Sequence, residues 1–148
     1  MRILVDADAC PVRAEIVRLA GFRDVPVTMV FGPGQDFQAA ARVELVRVDS
    51  DREAADLAIA NLARPHDLVL TDDLGLACLA LARGTKVLSF RGTVYDTHNI
   101  DAALAQRHSH ARIRRGGGRH RGPRNYTAAD RERFVRELDR MLSQVTEE

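Results

Sequence analysis

No stretch of this chain approaches the roughly 20 consecutive apolar residues that a membrane-spanning helix needs, so a helical membrane protein is not expected. The opening Met1-Arg2-Ile3-Leu4-Val5-Asp6 is too short and too acidic for a secretion signal, and a cytoplasmic location is the expectation. Cys10 and Cys78 are the only cysteines. Two unspaced thiols form no zinc pattern and need no disulfide. Cys10 stands near an expected helix N-terminus, which would lower its pKa, but no obvious base or resolving thiol accompanies it, so it reads as structural. Lys86 is the one lysine among 22 cationic residues, a bias that reads as genomic composition. Aromatic residues make up 5% of the chain, too few for a base-stacking platform to be the expected mode of nucleic-acid recognition.

What is present is an ordinary globular balance, 45% apolar and 29% charged over 148 residues, enough for one domain with one sizeable core. The net charge of +1 is unevenly spread. Residues 1–101 carry 15 acids against 11 bases. Residues 102–126 carry seven arginines and no acid, and residues 127–148 carry four bases against six acids. An acidic body with one basic stretch points to a polyanionic partner.

Apolar runs alternate with helical patterns. Strands are expected at Arg2–Val5, Pro26–Phe31, Val43–Val48, Leu68–Leu70 and Lys86–Phe90. Between them lie a helix with Pro11 in its first turn that stops at Gly21 and one opened by the capping box Ser50-Asp51-Arg52-Glu53 that ends before Pro65. A third runs from Leu74 to Arg83 and a fourth from Asn99 to about Arg107. Residues 114–125 read as a glycine- and arginine-rich loop. Thr127 with Asp130 caps a final amphipathic helix over about 128–143, with Phe134, Val135, Leu138, Met141 and Leu142 on or near its apolar face. This order predicts an α/β fold, a three-layer α/β/α single domain over 1–148 with a mostly parallel central sheet of about five strands.

Parallel sheets gather their sites at the carboxyl ends of the strands. Asp6 ends the first strand, Asp8 follows in the loop, and Asp72 and Asp73 end the fourth. Asp56 falls on the flank of its helix, roughly 130° from the stripe formed by Ala54, Ala55, Ala58, Ile59 and Leu62, and faces the same edge if that helix crosses it. Carboxylates held together repel unless some stay protonated or a cation lies among them. Hard oxygen ligands select Mg²⁺ or Mn²⁺, so Asp6, Asp8, Asp56, Asp72 and Asp73 are the candidate ligands. Plainer roles stay open. Asp72, Asp73 and Asp8 would serve as helix caps, and Asp56 as a solvated helix residue. Asp6 is the hardest to explain so, because an aspartate ending a buried strand needs a partner.

Several segments together resemble one family. Asp6-Ala7-Asp8-Ala9-Cys10-Pro11 looks like the opening motif of the YaiI/YqxD family of uncharacterised bacterial proteins. The likeness continues at Ala54-Ala55-Asp56-Leu57-Ala58-Ile59, Leu70-Thr71-Asp72-Asp73, Arg91-Gly92 with Tyr95 and Asn99-Ile100, and residues 114–119 with Gly122-Pro123. That family is similar to PIN-like nuclease domains, which cut RNA or flap DNA with Mg²⁺ or Mn²⁺ bound by acids. The resemblance implies a PIN-like fold with Asp6, the helical Asp56 and the Thr71-x-Asp73 aspartate as catalytic residues, and it favours Asp73 over Asp72. Many such nucleases carry a further acid just after this aspartate, whereas here Leu74-Gly75-Leu76-Ala77 follow, which leaves Asp8 as the substitute.

The expected function is divalent-metal-dependent phosphodiester hydrolysis, with RNA favoured over DNA. Arg112, Arg114, Arg115, Arg119, Arg121 and Arg124, within the basic segment 107–124, would hold the strand by its phosphates. A solvated loop is the plain alternative for this segment, and His108-x-His110 is a weak metal pattern. Two other functions compete. One is a nucleic-acid-binding module without catalysis. The other is a haloacid-dehalogenase-like phosphatase using Asp6-x-Asp8, which would need a lysine before the later acidic pair, whereas Lys86 follows it.

Overall fold

A computed structural model describes residues 1–34, 37–38, 40–49, 52–115 and 125–146, with the backbone alone for 52, 53, 110, 111, 113–115 and 146. The strands are β1 (Ile3–Asp6), β2 (Val27–Phe31), β3 (Val43–Arg47), β4 (Leu68–Leu70), β5 (Lys86–Leu88) and β6 (Val94–Tyr95). The helices are α1 (Arg13–Phe22), α2 (Arg52–Leu62), α3 (Leu74–Ala82), α4 (Ile100–Arg115) and α5 (Ala128–Thr146), and a single 3₁₀ turn covers Ala7–Ala9. The sheet order is β3-β2-β1-β4-β5-β6, parallel throughout except for the antiparallel β6. Among the described residues no helix is long and apolar enough to cross a membrane.

The two-residue period of the strands divides the core. Ile3 and Val5 of β1, Val27, Met29 and Phe31 of β2, and Leu68 and Leu70 of β4 face one layer, with Ile16 and Ala20 of α1 and Phe134, Leu138 and Leu142 of α5. Leu4, Val30, Val69 and Val87 face the other, against Ile59 of α2, Leu76 and Ala80 of α3 and Ile100 of α4. Strands buried on both faces are continuous apolar runs, which is why β1, β2 and β4 were legible as runs and not as alternations. The chain leaves β1 towards β2 and β3 on one side and then returns past it to β4. The order therefore reverses between β1 and β4, where open α/β sheets form their crevice.

The mostly parallel sheet of about five strands is present and gains a short sixth, because Val94 and Tyr95 pair back on Leu88 and Val87 after a tight turn in which Ser89 N–H donates to Thr93 O and Gly92 N–H to Ser89 O. Two helix bounds need correction. Helix α1 starts at Arg13 with Val12 at its N-cap, so Pro11 lies just ahead of the helix. Helix α4 continues to Arg115 instead of ending near Arg107: Ala, Gln and Arg are good helix formers, and no glycine or proline intervenes before Gly116. The capping box at 50–53 lies outside the residues whose side chains are described. The cap of α5 is present in full, since Thr127 N–H donates to Asp130 Oδ2 at 3.0 Å and Asp130 N–H donates to Thr127 Oγ1 at 3.2 Å.

Candidate functional site

Asp6 is the last residue of β1. The β1–β4 register, Ile3 with Leu68 through Val5 with Leu70, brings the next position of β4, Thr71, level with it. Both belong to the face that carries Leu4 and Val69, the face covered by α2 and α3. The fully buried Thr71 hydroxyl donates to Asp6 Oδ2 at 3.0 Å and accepts from Asp73 N–H at 3.0 Å. One hydroxyl thus fixes two of the acids. Asp73 Oδ1 accepts from Leu76 N–H at 3.0 Å and caps α3, where the helix dipole favours an anion.

The other acids are fastened separately. Asp8 Oδ2 accepts from Gly32 N–H at 2.8 Å, so Asp8 ties the end of β1 to the end of β2 and is not a cap for α1. A Cβ on Gly32 would lie 3.2 Å from that oxygen, a close approach that glycine permits. Asp72 does not cap α3; its Oδ1 accepts from Phe90 N–H at 2.9 Å. Asp56 is half-buried in the second turn of α2, beside the buried Ala55. These residues line one cleft of about 670 Å³ containing Asp6, Asp8, Asp56, Asp72 and Asp73, all five of the acids singled out in the sequence. Asp49 lines it as well and was missed. Its signal was positional: it lies two residues past the end of β3, as Asp8 does past β1 and Asp72 past β4.

Burial raises the pKa of Asp6 above its ordinary value; the Thr71 hydrogen bond opposes this, and the charges of Asp73, Asp8 and Asp72 add to it. Asp72 is raised too, by desolvation, against the pull of the Phe90 N–H and Arg91. Much of the Asp72 residue is exposed, but the oxygen held by the Phe90 amide is turned into the cleft wall, which reconciles the two. Cys10 is buried and its thiol is pushed up to about 12, as a structural cysteine requires. Among the described residues no three His, Cys, Asp or Glu side chains form a ready-made coordination group. The donors lining the cleft are carboxylate oxygens, which suit a hard cation. Such a cation commonly needs only one or two carboxylates and keeps water for the rest of its shell, so the donor set fits Mg²⁺ or Mn²⁺ without a preformed cage.

The family model described as "Uncharacterized BCR, YaiI/YqxD family" matches residues 4–144. The chain belongs to the YaiI/YqxD family. A UPF0178 protein of Halalkalibacterium halodurans is 43% identical to it over 141 residues, 95% of this chain and 90% of that one. A UPF0178 protein of Bacillus cereus is 44% identical over 136 residues, 90% of this chain and 93% of that one. The crystal structure of Rae1 (YacP) from Bacillus subtilis aligns with 98% of this chain and 99% of that chain at a TM-score of 0.48 and 18% identity.

Within the YaiI/YqxD motif, Arg91 and Gly92 serve to dock α5. Arg91 donates to Asp130 Oδ2 at 2.8 Å, Arg133 pairs with Asp130 Oδ1, and Asp130 is fully buried between them. Tyr126 Oη donates to Phe90 O at 2.7 Å. Gly92, at φ +89°, lies so close to α5 that a Cβ there would sit 2.8 Å from Arg133 C. Phe90 therefore joins α5, through its carbonyl, to Asp72, through its N–H. Of the basic segment, Arg112 is exposed on α4, and Arg114 and Arg115 are the last residues of that helix. The side chains of Arg114 and Arg115, and all of Arg119, Arg121 and Arg124, lie outside the described residues. Lys86 pairs with Leu68 at the amino end of the sheet, opposite the edge that carries Asp6. The phosphatase alternative consequently has no lysine at the cleft.

Proposed function

We propose that this YaiI/YqxD protein is a divalent-metal-dependent nuclease acting on phosphodiesters, RNA in preference to DNA. The observation that carries the reading is the convergence of Asp6, Asp8, Asp56, Asp72 and Asp73 on one cleft at the carboxyl edge of a parallel sheet, where the strand order reverses. Asp6, Asp56 and Asp73 would hold Mg²⁺ or Mn²⁺, with Asp8 and Asp72 in reserve. The chemistry such a cation supplies is polarisation of a phosphoryl oxygen and activation of water at neutral pH. Thr71 orients Asp6 and Asp73 together, and the α3 cap holds Asp73 against rotation. Asp6 gives up its proton most readily when a cation offsets its like-charged neighbours, so metal uptake releases protons. The arginines of 107–124 would grip the strand through its phosphates and confer no sequence preference.

A second reading, a nucleic-acid-binding module without catalysis, draws on the lack of a ready-made coordination group among the described residues. One assay separates the two. Wild type with end-labelled RNA or DNA and Mn²⁺ should yield shortened products, and EDTA or Asp6→Asn should abolish them. Retention of the label on intact RNA, with binding preserved, would establish the second reading.

A further inference from the structure

Helix α4 changes character along its length. Its first turns pack on the layer that holds α2 and α3: Ile100 is 7% exposed, and Leu104 lies against the same core. Ala105, Gln106, Arg107, His108 and Ser109 are then exposed one after another. At about 100° per residue, five successive positions go round the whole helix, so no side of it is covered there. Arg107 shows this best. It stands seven residues after Ile100, about 20° from it and on the side that the first turns bury, yet it is exposed. The body of the domain ends beneath it. Arg112, further on, is exposed as well, so from Ala105 to Arg112 the helix overhangs by about 12 Å. Arg107, His108 and Arg112 make no hydrogen bond or ion pair among the described residues, and residues 102–129 contain no acid. Arg107 and Arg112 lie roughly 140° apart around the helix, with His108 between them. Arginines on two flanks cannot both follow one strand along a single side, but they meet the two phosphate walls of a groove that takes the helix in. Guanidinium groups suit those walls, because they contact phosphate oxygens in pairs. With its side chains a helix is about 10–12 Å across, the width of an open major groove. The remaining side carries Ala105, Gln106 and Ser109, not the broad apolar face with which a helix lies in a membrane.

We propose that the overhanging half of α4 enters the major groove of a double-helical stem in the substrate. This rests on the nuclease reading for the substrate's being a nucleic acid, and it adds the shape of that substrate. Regular A-form RNA has a major groove too narrow for a helix, so the RNA that fits is a stem opened by a bulge, whereas B-form DNA is open throughout. The test is fluorescence anisotropy across a salt series in EDTA, so that cleavage plays no part, with a bulged RNA stem, the same stem fully paired, one of its strands alone, and a DNA duplex. The bulged stem should bind more tightly than the paired stem or the single strand. Arg107→Ala and Arg112→Ala should each flatten the slope of log affinity against log salt on the bulged stem by about 0.9, the value for one duplex phosphate contact. Ser109→Pro keeps every charge but breaks the helix within the overhang. It should lose the preference for the bulged stem and still bind the single strand. All three residues are exposed, so the melting temperature should stay at the wild-type value. Equal affinity of wild type for bulged stem and single strand, or a Ser109→Pro variant that keeps the wild-type preference, overturns the groove and makes this segment a flexible basic tail. If the DNA duplex alone outbinds the single strand, the groove stands and the preference for RNA falls. If Mn²⁺-dependent cleavage of RNA persists when the groove is overturned, the nuclease reading survives it; if the bulged stem binds as expected and wild type cuts nothing, the overhang survives instead.

Discussion

Replacing Asp6 with asparagine changes one charge and little else, because the amide oxygen can still accept from Thr71 Oγ1. Asp6 has a folded-state pKa raised above its ordinary 3.8, chiefly by burial, with like-charged neighbours adding to it. The folded protein therefore holds the Asp6 proton more tightly than the unfolded chain does. The resulting stability is fully present below the unfolded pKa and is lost as pH rises through the raised folded value. At neutral pH the metal-free wild type carries the cost of that buried charge, and Asp6→Asn removes it. The variant should melt at or above wild type at pH 7 without metal, and the gap should close as pH falls below about 4. Added Mn²⁺ should act in the opposite sense. A cation that binds only the folded state stabilises it by RT ln(1 + [L]/Kd), about 2.7 kcal/mol at a hundredfold excess over Kd. For a domain of this size that corresponds to a rise of about 5–10 °C. Scanning calorimetry with Mn²⁺ and with EDTA measures both arms. Wild type should gain the increment and lose it in EDTA; Asp6→Asn should never gain it. A wild type indifferent to Mn²⁺, together with a destabilised Asp6→Asn, would reduce these carboxylates to structural fastenings and remove the physical basis of the metal site.

Other outcomes follow from the same geometry. Asp73→Ala should cost about 1 kcal/mol in urea denaturation from loss of the α3 cap, whereas Asp73→Asn should keep most of that stability yet lose the Mn²⁺-dependent rise in melting temperature. Gly92→Ala should destabilise by about 1–3 kcal/mol, because the methyl group would meet the α5 backbone at a positive φ, and thermal melting reads it directly. Replacing Arg114, Arg115, Arg119 and Arg121 with alanine should weaken nucleic-acid binding for all sequences alike, flattening the salt slope by roughly 0.7 to 0.9 per lost phosphate contact. A loss confined to one sequence would make that segment a reader of bases.

The parallel strands and their order of appearance were legible because β1, β2 and β4 are buried on both faces, which leaves near-continuous apolar runs in the sequence. From that architecture alone the acids at the ends of β1 and β4 had to share an edge. Strand β6 was not legible: two residues carry no period, and their pairing depends on the turn at Ser89–Thr93. The length of α4 was underestimated because arginine and histidine density reads as loop, although arginine is a good helix former. The particular fastening of each acid was also hidden. Asp72 and Asp73 are adjacent and chemically identical in the sequence, and only the β4–α3 backbone decides that Asp73 caps the helix while Asp72 turns to Phe90.

That division bears on how the cleft is to be dissected. Four of its acids are fastened through one carboxylate oxygen to a neighbouring element: Asp6 to Thr71, Asp8 to Gly32, Asp72 to Phe90 and Asp73 to Leu76. Each bond joins the carboxyl end of a strand to the next strand, loop or helix, so the site and the upper edge of the sheet are one construction. Alanine at any of the four removes a hydrogen bond and a charge together, and the two act on stability in opposite senses where burial has raised the pKa, as at Asp6 and Asp72. Asparagine keeps an acceptor and deletes only the charge. The Phe90 peptide extends the coupling further, because its N–H serves Asp72 while its carbonyl receives Tyr126, which leads into α5. Loosening α5 at Tyr126 or Asp130 therefore acts on the cleft through Asp72, and a loss of activity in such a variant would place neither residue in the chemistry.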